Sequence, residues 1–261
     1  MTNSPVSDTD VATAGARAGA AVVRDMYGRQ LSRIAKGAGD FATAADLEAE
    51  KAILAVIRAA RPDDAVLGEE GGQQGAAGAR RQWLVDPLCG TLNYAVGTML
   101  VAVNVALRDG AAAVADPFSG EVFFTDGETA WARHDGADDA VLTPTSATRL
   151  VEVNLDPPFP NAPVFRAVDL LAHTEFVARF RPRVVSTTLA LAWVAAGKRA
   201  AYVTDGGGFT DSVHFAAGIA AGCVVTGIDG APLEEADRGL VVAADDETHG
   251  QLMSMTGGGA R

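Results

Sequence analysis

Asp86, Cys89, Thr91 and Asn93 fall in one short stretch, Trp83-Leu84-Val85-Asp86-Pro87-Leu88-Cys89-Gly90-Thr91-Leu92-Asn93. A carboxylate can hold a hard cation or accept a proton, a thiol can act as nucleophile or soft ligand, and a hydroxyl can orient water. The apolar run Trp83 to Val85 predicts a buried strand end, which Pro87 and Gly90 break into a tight loop. Ligands of open α/β sheets usually sit at such C-terminal strand ends. Further candidates are Glu69 in Gly68-Glu69-Glu70-Gly71-Gly72, Asp46 in the first turn of a predicted helix, and His214 in a small, apolar segment. Each also has a plainer role: Glu69 in a solvated loop, Asp46 as a helix-start carboxylate, Cys89 and His214 as packing residues.

The elements that must position these residues follow from periodicity. Val11, Ala14, Ala18, Val22 and Met26 recur at helical spacing and predict a helix over 10–34. A second helix starts near Thr43 or Asp46 and runs to Ala60, with Leu47, Ile53, Leu54 and Ile57 on its buried side. Strands are predicted over 65–67, 99–107, 111–115 and 121–125, with a mobile Gly-rich loop over 73–79. Another short strand pair is expected between Glu128 and the turn at Asp135-Gly136. Polar, turn-forming residues over 138–146 divide the chain into halves 1–142 and 143–261. The second half reads as strands over 150–155, 200–204, 223–226 and 240–244, and helices over 164–180, 186–196, 214–221 and 249–255.

The chain has 261 residues, 48% of them apolar, enough for one large core or two modest ones. Asp and Glu number 33 against 21 Lys and Arg, for a formal charge of -12. No basic block offsets this, so a broad positive face for nucleic acid is not expected. A phosphorylated small molecule can still bind if metal ions or local donors supply positive field. Cys89 and Cys223 are the only cysteines, too few for a disulfide scaffold. The Met1-Thr2-Asn3-Ser4-Pro5 start lacks signal-peptide character, and no run approaches the roughly 18 apolar residues of a membrane span. A cytoplasmic protein with no membrane contact is expected.

The central stretch resembles the metal-binding signature of the inositol monophosphatase family, in which a tryptophan and two apolar residues precede Asp-Pro-(Ile/Leu)-Asp-Gly-Thr, followed by Asn; Cys89 stands at the second aspartate. Thr43-Ala44-Ala45-Asp46 is similar to the family's Thr-Ala-x-Asp segment, and Gly68-Glu69-Glu70 to its Gly-Glu-Glu. The resemblance implies an α/β fold, a layered α/β/α/β/α sandwich, and a phosphomonoesterase that uses magnesium-activated water on a small phosphorylated metabolite. It implies a first metal on Glu69, Asp86, the Leu88 carbonyl and the Thr91 hydroxyl, phosphate at the Gly90 and Thr91 amides, and Asp46 beside the centre. A second metal would use Asp86 with the positions of Cys89 and His214, where two aspartates are replaced.

Three readings of that replacement are open. Metal binding at the second position is lost, or Asp86, Cys89 and His214 take zinc or another softer metal, or Cys89 and His214 form a nucleophilic pair for non-phosphatase chemistry. A noncatalytic protein binding a small polar metabolite is the remaining class. The family's substrate-binding glutamate falls near Thr204 or Asp205, and Val185 replaces a glycine near the substrate, so inositol phosphate is not assured. The resemblance also implies a homodimer.

Overall fold

The structure, a computed structural model, describes residues 6–29, 33–37, 40–76, 78–155, 166–204, 221–232 and 239–256. It divides into two compact units, one ending at Ala140 and the next beginning at Val141.

In the first unit, helix α1 (Asp8–Met26) opens with a capping box: the Ser7 hydroxyl accepts from the Asp10 amide while Asp10 reaches back to Ser7. The predicted extension to Ile34 does not form. At Tyr27 the backbone turns extended and the ring packs edge-on against Tyr94 and Phe118, at 5.5 and 4.7 Å. Arg33–Gly37 instead forms β1, paired antiparallel with β2 (Asp40–Thr43), which leads directly into α2 (Ala44–Ala60).

Among the described residues the unit's main sheet has eight strands, in the order β10-β9-β8-β7-β6-β5-β3-β4. They are β3 (Ala65–Gly68), β4 (Gly72–Gln74), β5 (Gln82–Cys89), β6 (Ala102–Leu107), β7 (Ala112–Ala115), β8 (Val122–Thr125), β9 (Ala130–Arg133) and β10 (Ala140–Val141). The expected loop over 73–79 is thus partly a strand, because Gly72–Gln74 pairs antiparallel with β3. Likewise β6 begins only at Ala102, and Met99 and Leu100 remain exposed. From β4 to β9 the ladders are antiparallel except that of β3 with β5, which run parallel.

The core lies between this sheet and the two helices: Val11, Ala16 and Val23 of α1, Ile53 and Ile57 of α2, and Trp83, Val85, Val103 and Val105 of the sheet. Gly19 permits the closest approach. A Cβ there would stand 2.8 Å from both Ile53 Cδ1 and Val103 Cγ1. Alanine would gain about 1 kcal/mol of helix propensity, but overpacking costs typically about 1–3 kcal/mol. Gly19→Ala is therefore expected to lower stability in urea unfolding, and a more stable variant would contradict this packing.

The second unit carries a five-stranded sheet ordered β12-β11-β13-β15-β14, with β11 (Leu150–Asn154), β12 (Arg181–Val184), β13 (Ala201–Thr204), β14 (Val224–Thr226) and β15 (Leu240–Ala243). Its core joins Val151, Val153, Ala201 and Val203 to residues of α4 (Ala167–Ala172), α5 (Thr174–Arg179) and α7 (Asp246–Thr256). The single helix expected over 164–180 is broken at His173, whose backbone is extended, and 164–165 lie outside the described residues. On one straight helix Leu170 and Phe176 would point about 120° apart; the break lets both enter the same core. The helix expected over 186–196 is α6 (Leu189–Ala195). No helix among the described residues is long and apolar enough to cross a membrane.

Candidate active site

The parallel pairing of β3 and β5 sets the site. Gly68 aligns with Val85, and the Glu69 amide donates to the Val85 carbonyl at 3.0 Å. Glu69 and Asp86 are therefore the next residues at the same end of two neighbouring strands. Glu69 is exposed, whereas Asp86 is buried.

Strand β5 does not end before Asp86 as expected; it continues to Cys89 through a bulge. From Asp86 to Cys89 it advances three residues while β6 advances two, from Asn104 to Ala102. The extra residue lets Pro87, which has no amide hydrogen, pass within the sheet. The Leu88 amide turns back onto Asp86 Oδ1 at 3.1 Å, and the Asn104 side chain, directly across the ladder, donates to Oδ2 at 3.0 Å. Each oxygen thus accepts from a neutral donor.

Gly90, at φ +96°, makes the left-handed turn that starts α3 (Thr91–Ala95). Tyr94 anchors this short helix by donating to the Val23 carbonyl at 2.7 Å, and burial, reinforced by the charge of Asp46, pushes its phenol up to about 12. Asn93 donates to the Leu100 carbonyl at 2.9 Å, in keeping with the loop-stabilising role its type suggests.

The two oxygens of Asp46 have different partners. Its Oδ2 accepts from the Thr43 amide and hydroxyl, at 2.8 and 2.6 Å, and completes the cap of α2. Its Oδ1 accepts from the Thr91 hydroxyl at 3.1 Å, and the Leu88 carbonyl lies equally close to that hydroxyl. Burial raises the Asp46 pKa above the ordinary carboxylate range, against the opposing pull of the Thr43 and Thr91 hydrogen bonds.

Two residues of this centre carried no recognisable signal of function. Asn104 lies inside an apolar strand and its part follows only from ladder register. Glu50, four residues after Asp46 on α2, is buried and accepts from the amides of Glu70 and Gly71 at 2.9 and 2.8 Å. A charged residue on a helix's buried face was the available clue.

Cys89 is partly exposed and Cys223 buried, and neither is in a disulfide. Thr204 is buried at the end of β13 in the second unit. His214 and Asp205 lie outside the described residues, so the expected facing of Cys89 and His214 does too. Val185 is half-buried, its amide bonded to the Val153 carbonyl.

The oxygen donors at these two strand ends suit a hard divalent ion: carboxylates of Glu69 and Asp86, a carbonyl at Leu88 and a hydroxyl at Thr91. Magnesium is commonly held by one or two carboxylates while keeping several waters. Among the described residues no three His, Cys, Asp or Glu side chains gather as a metal cluster.

Glu69 and Asp86 thus stand side by side at one end of the sheet's parallel pair, and the aspartate that caps α2 is tied to Thr91. The chain belongs to the inositol monophosphatase family, whose model matches residues 3–257. It is 31% identical to the inositol-1-monophosphatase of Caulobacter vibrioides, across 84% of this chain and 88% of that protein. It is also 31% identical to the inositol-1-monophosphatase of Mesorhizobium japonicum, across 89% of each. In fold it is similar to the extragenic suppressor protein SuhB of Bartonella henselae, with a TM-score of 0.80, 22% identity, and 96% and 98% of the two chains covered. Membership implies a hydrolase of the metal-dependent phosphatase kind.

Proposed function

We propose that this protein hydrolyses the phosphate monoester of a small metabolite, with magnesium as the expected ion. The observation that carries the reading is the Thr91 hydroxyl held between Asp46 and the Leu88 carbonyl, next to the strand ends that carry Glu69 and Asp86. Glu69, Asp86 and the Leu88 carbonyl would hold the ion, which supplies charge neutralisation and lowers the pKa of water. The Thr91 hydrogen points to Asp46 or Leu88, so an Oγ1 lone pair is left to accept a hydrogen from the attacking water. As the water oxygen bonds to phosphorus, its proton passes to Thr91 Oγ1 and the Thr91 hydrogen moves to Asp46 Oδ1, while the bond from phosphorus to the metabolite's oxygen breaks and that oxygen leaves with the electron pair and takes a proton from solvent. The amides that open α3, lacking partners within the helix, would bind phosphate oxygens beside Gly90 and Thr91.

The names of the Caulobacter and Mesorhizobium relatives make inositol monophosphates the first substrates to assay. A panel of phosphorylated polyols, sugars and nucleotides, tested with magnesium, manganese and zinc, should show metal-dependent phosphate release from at least one. Silence across the panel would count against the reading. The partial exposure of Cys89 favours a second one, chemistry by the thiol. Burial pushes the Cys223 thiol up to about 12, so a thiol reagent at neutral pH reports on Cys89. Rapid alkylation of Cys89 together with an inactive Cys89→Ser protein would transfer the proposal to that chemistry.

A further inference from the structure

Helix α2 presents two buried carboxylates one turn apart, Asp46 and Glu50, at 1% and 4% exposure. Asp46 is joined to Thr91, as described above. Glu50 is joined to the turn after β3: its Oε2 accepts from the Glu70 amide at 2.9 Å and its Oε1 from the Gly71 amide at 2.8 Å. The glycines around that turn leave the space it occupies. A Cβ at Gly68 would lie 2.6 Å from the Glu50 carboxylate, and one at Gly71 would lie 2.5 Å from Oε1. Neither glycine has a positive φ, so what a side chain at either would meet is the carboxylate, joined at Gly71 by Gln74 Nε2 at 2.7 Å. A buried carboxylate that accepts two backbone amides is a strong fastening, because each bond is charge-assisted and losing either leaves a buried group unsatisfied.

We infer that Glu50 is a positioning residue that fixes the 69–71 turn, and with it Glu69, against the same helix that orients Thr91. The carboxylate touches neither ion nor substrate. It acts by fixing where the Glu69 backbone leaves β3, in addition to the ladder bond between the Glu69 amide and Val85. This rests on the reading of Glu69 as a metal ligand, and the test separates the two.

Manganese binding in the absence of substrate, followed by titration calorimetry, is compared for the wild type, Glu69→Gln, Glu50→Gln and the double variant. An amide at residue 50 keeps the volume but turns a donor toward one of the two backbone N–H groups. Glu50→Gln is expected to weaken manganese binding about 10- to 100-fold, the range seen when groups supporting a metal ligand are changed. The double variant should bind no more weakly than Glu69→Gln alone, since Glu50 acts only through Glu69. The Glu70 and Gly71 amides should exchange hydrogen faster in Glu50→Gln.

Wild-type affinity in Glu50→Gln beside weakened Glu69→Gln overturns the positioning role and leaves the ligand reading standing. Strictly additive losses overturn it as well. Wild-type affinity in Glu69→Gln removes the ligand reading, and this inference with it. If Glu50→Gln does not fold, Gly71→Ala takes its place, because the added methyl displaces the same carboxylate from the same turn. The same comparisons then decide.

Discussion

Asp86→Asn is expected to abolish metal-dependent turnover while leaving a folded protein. The carboxylate accepts from the Leu88 amide on one oxygen and from Asn104 on the other. A carboxamide has one oxygen, so one donor would face an NH2 group unless the Asn104 amide turns over. The stability loss is that of one unsatisfied buried contact, about 1–3 kcal/mol. The loss of function is larger, because the negative charge goes from the one buried carboxylate of β5. Metal affinity should fall by more than the roughly 10- to 100-fold typical of changes to groups that merely support a ligand. Calorimetry with manganese and kcat/KM at saturating metal measure this, and unchanged affinity in a folded Asp86→Asn protein would remove Asp86 from the centre.

Asp46→Asn should behave differently, separating activity from stability. An asparagine oxygen can still accept from the Thr43 amide and hydroxyl, and its NH2 can donate to Thr91 Oγ1. The cap of α2 therefore survives. The Thr91 hydrogen is left with the Leu88 carbonyl, and no proton acceptor remains behind it. A fall in kcat of about 10²- to 10⁴-fold is expected, the usual contribution of a positioned acid or base, with manganese affinity little changed. A variant that keeps wild-type kcat would show that the Asp46–Thr91 contact is only a cap.

The pH dependence has a definite sign. The folded-state pKa of Asp46 is raised, chiefly by burial, so the neutral form is favoured by folding. Its stabilising contribution is full below the unfolded carboxylate pKa and is lost as the pH rises through the folded value. Urea unfolding should therefore show Asp46→Asn gaining on the wild type as the pH rises across that window. A gap that widens in the opposite direction would contradict the burial assignment.

What was legible beforehand is local in origin. The start of α2 at Thr43, its end at Ala60, the strand ahead of Glu69 and the turn at Gly90 each depend on side chains within a few residues, where capping, periodicity and turn chemistry act. The signature around Asp86 carries family and fold for the same reason, since its residue types and spacing lie on one continuous stretch of chain. Composition likewise carried the expectation of no broad basic face.

Contacts between distant segments decided the rest. Helix α1 stops at Met26 because the next ring has aromatic partners at Tyr94 and Phe118, and the helical pattern over 164–180 breaks because two side chains must reach one core. Asn104 reads as an interruption in an apolar strand until ladder register sets it opposite Asp86. Asp46 shows the division within a single side chain: one oxygen closes its own helix end, which neighbouring residues dictate, while the other meets Thr91, which only the packing of α2 against the strand ends can bring there. Hydrogen bonds act over about 3 Å whatever the sequence separation, so the part of the site made by distant residues exists only once the sheet and helices are assembled.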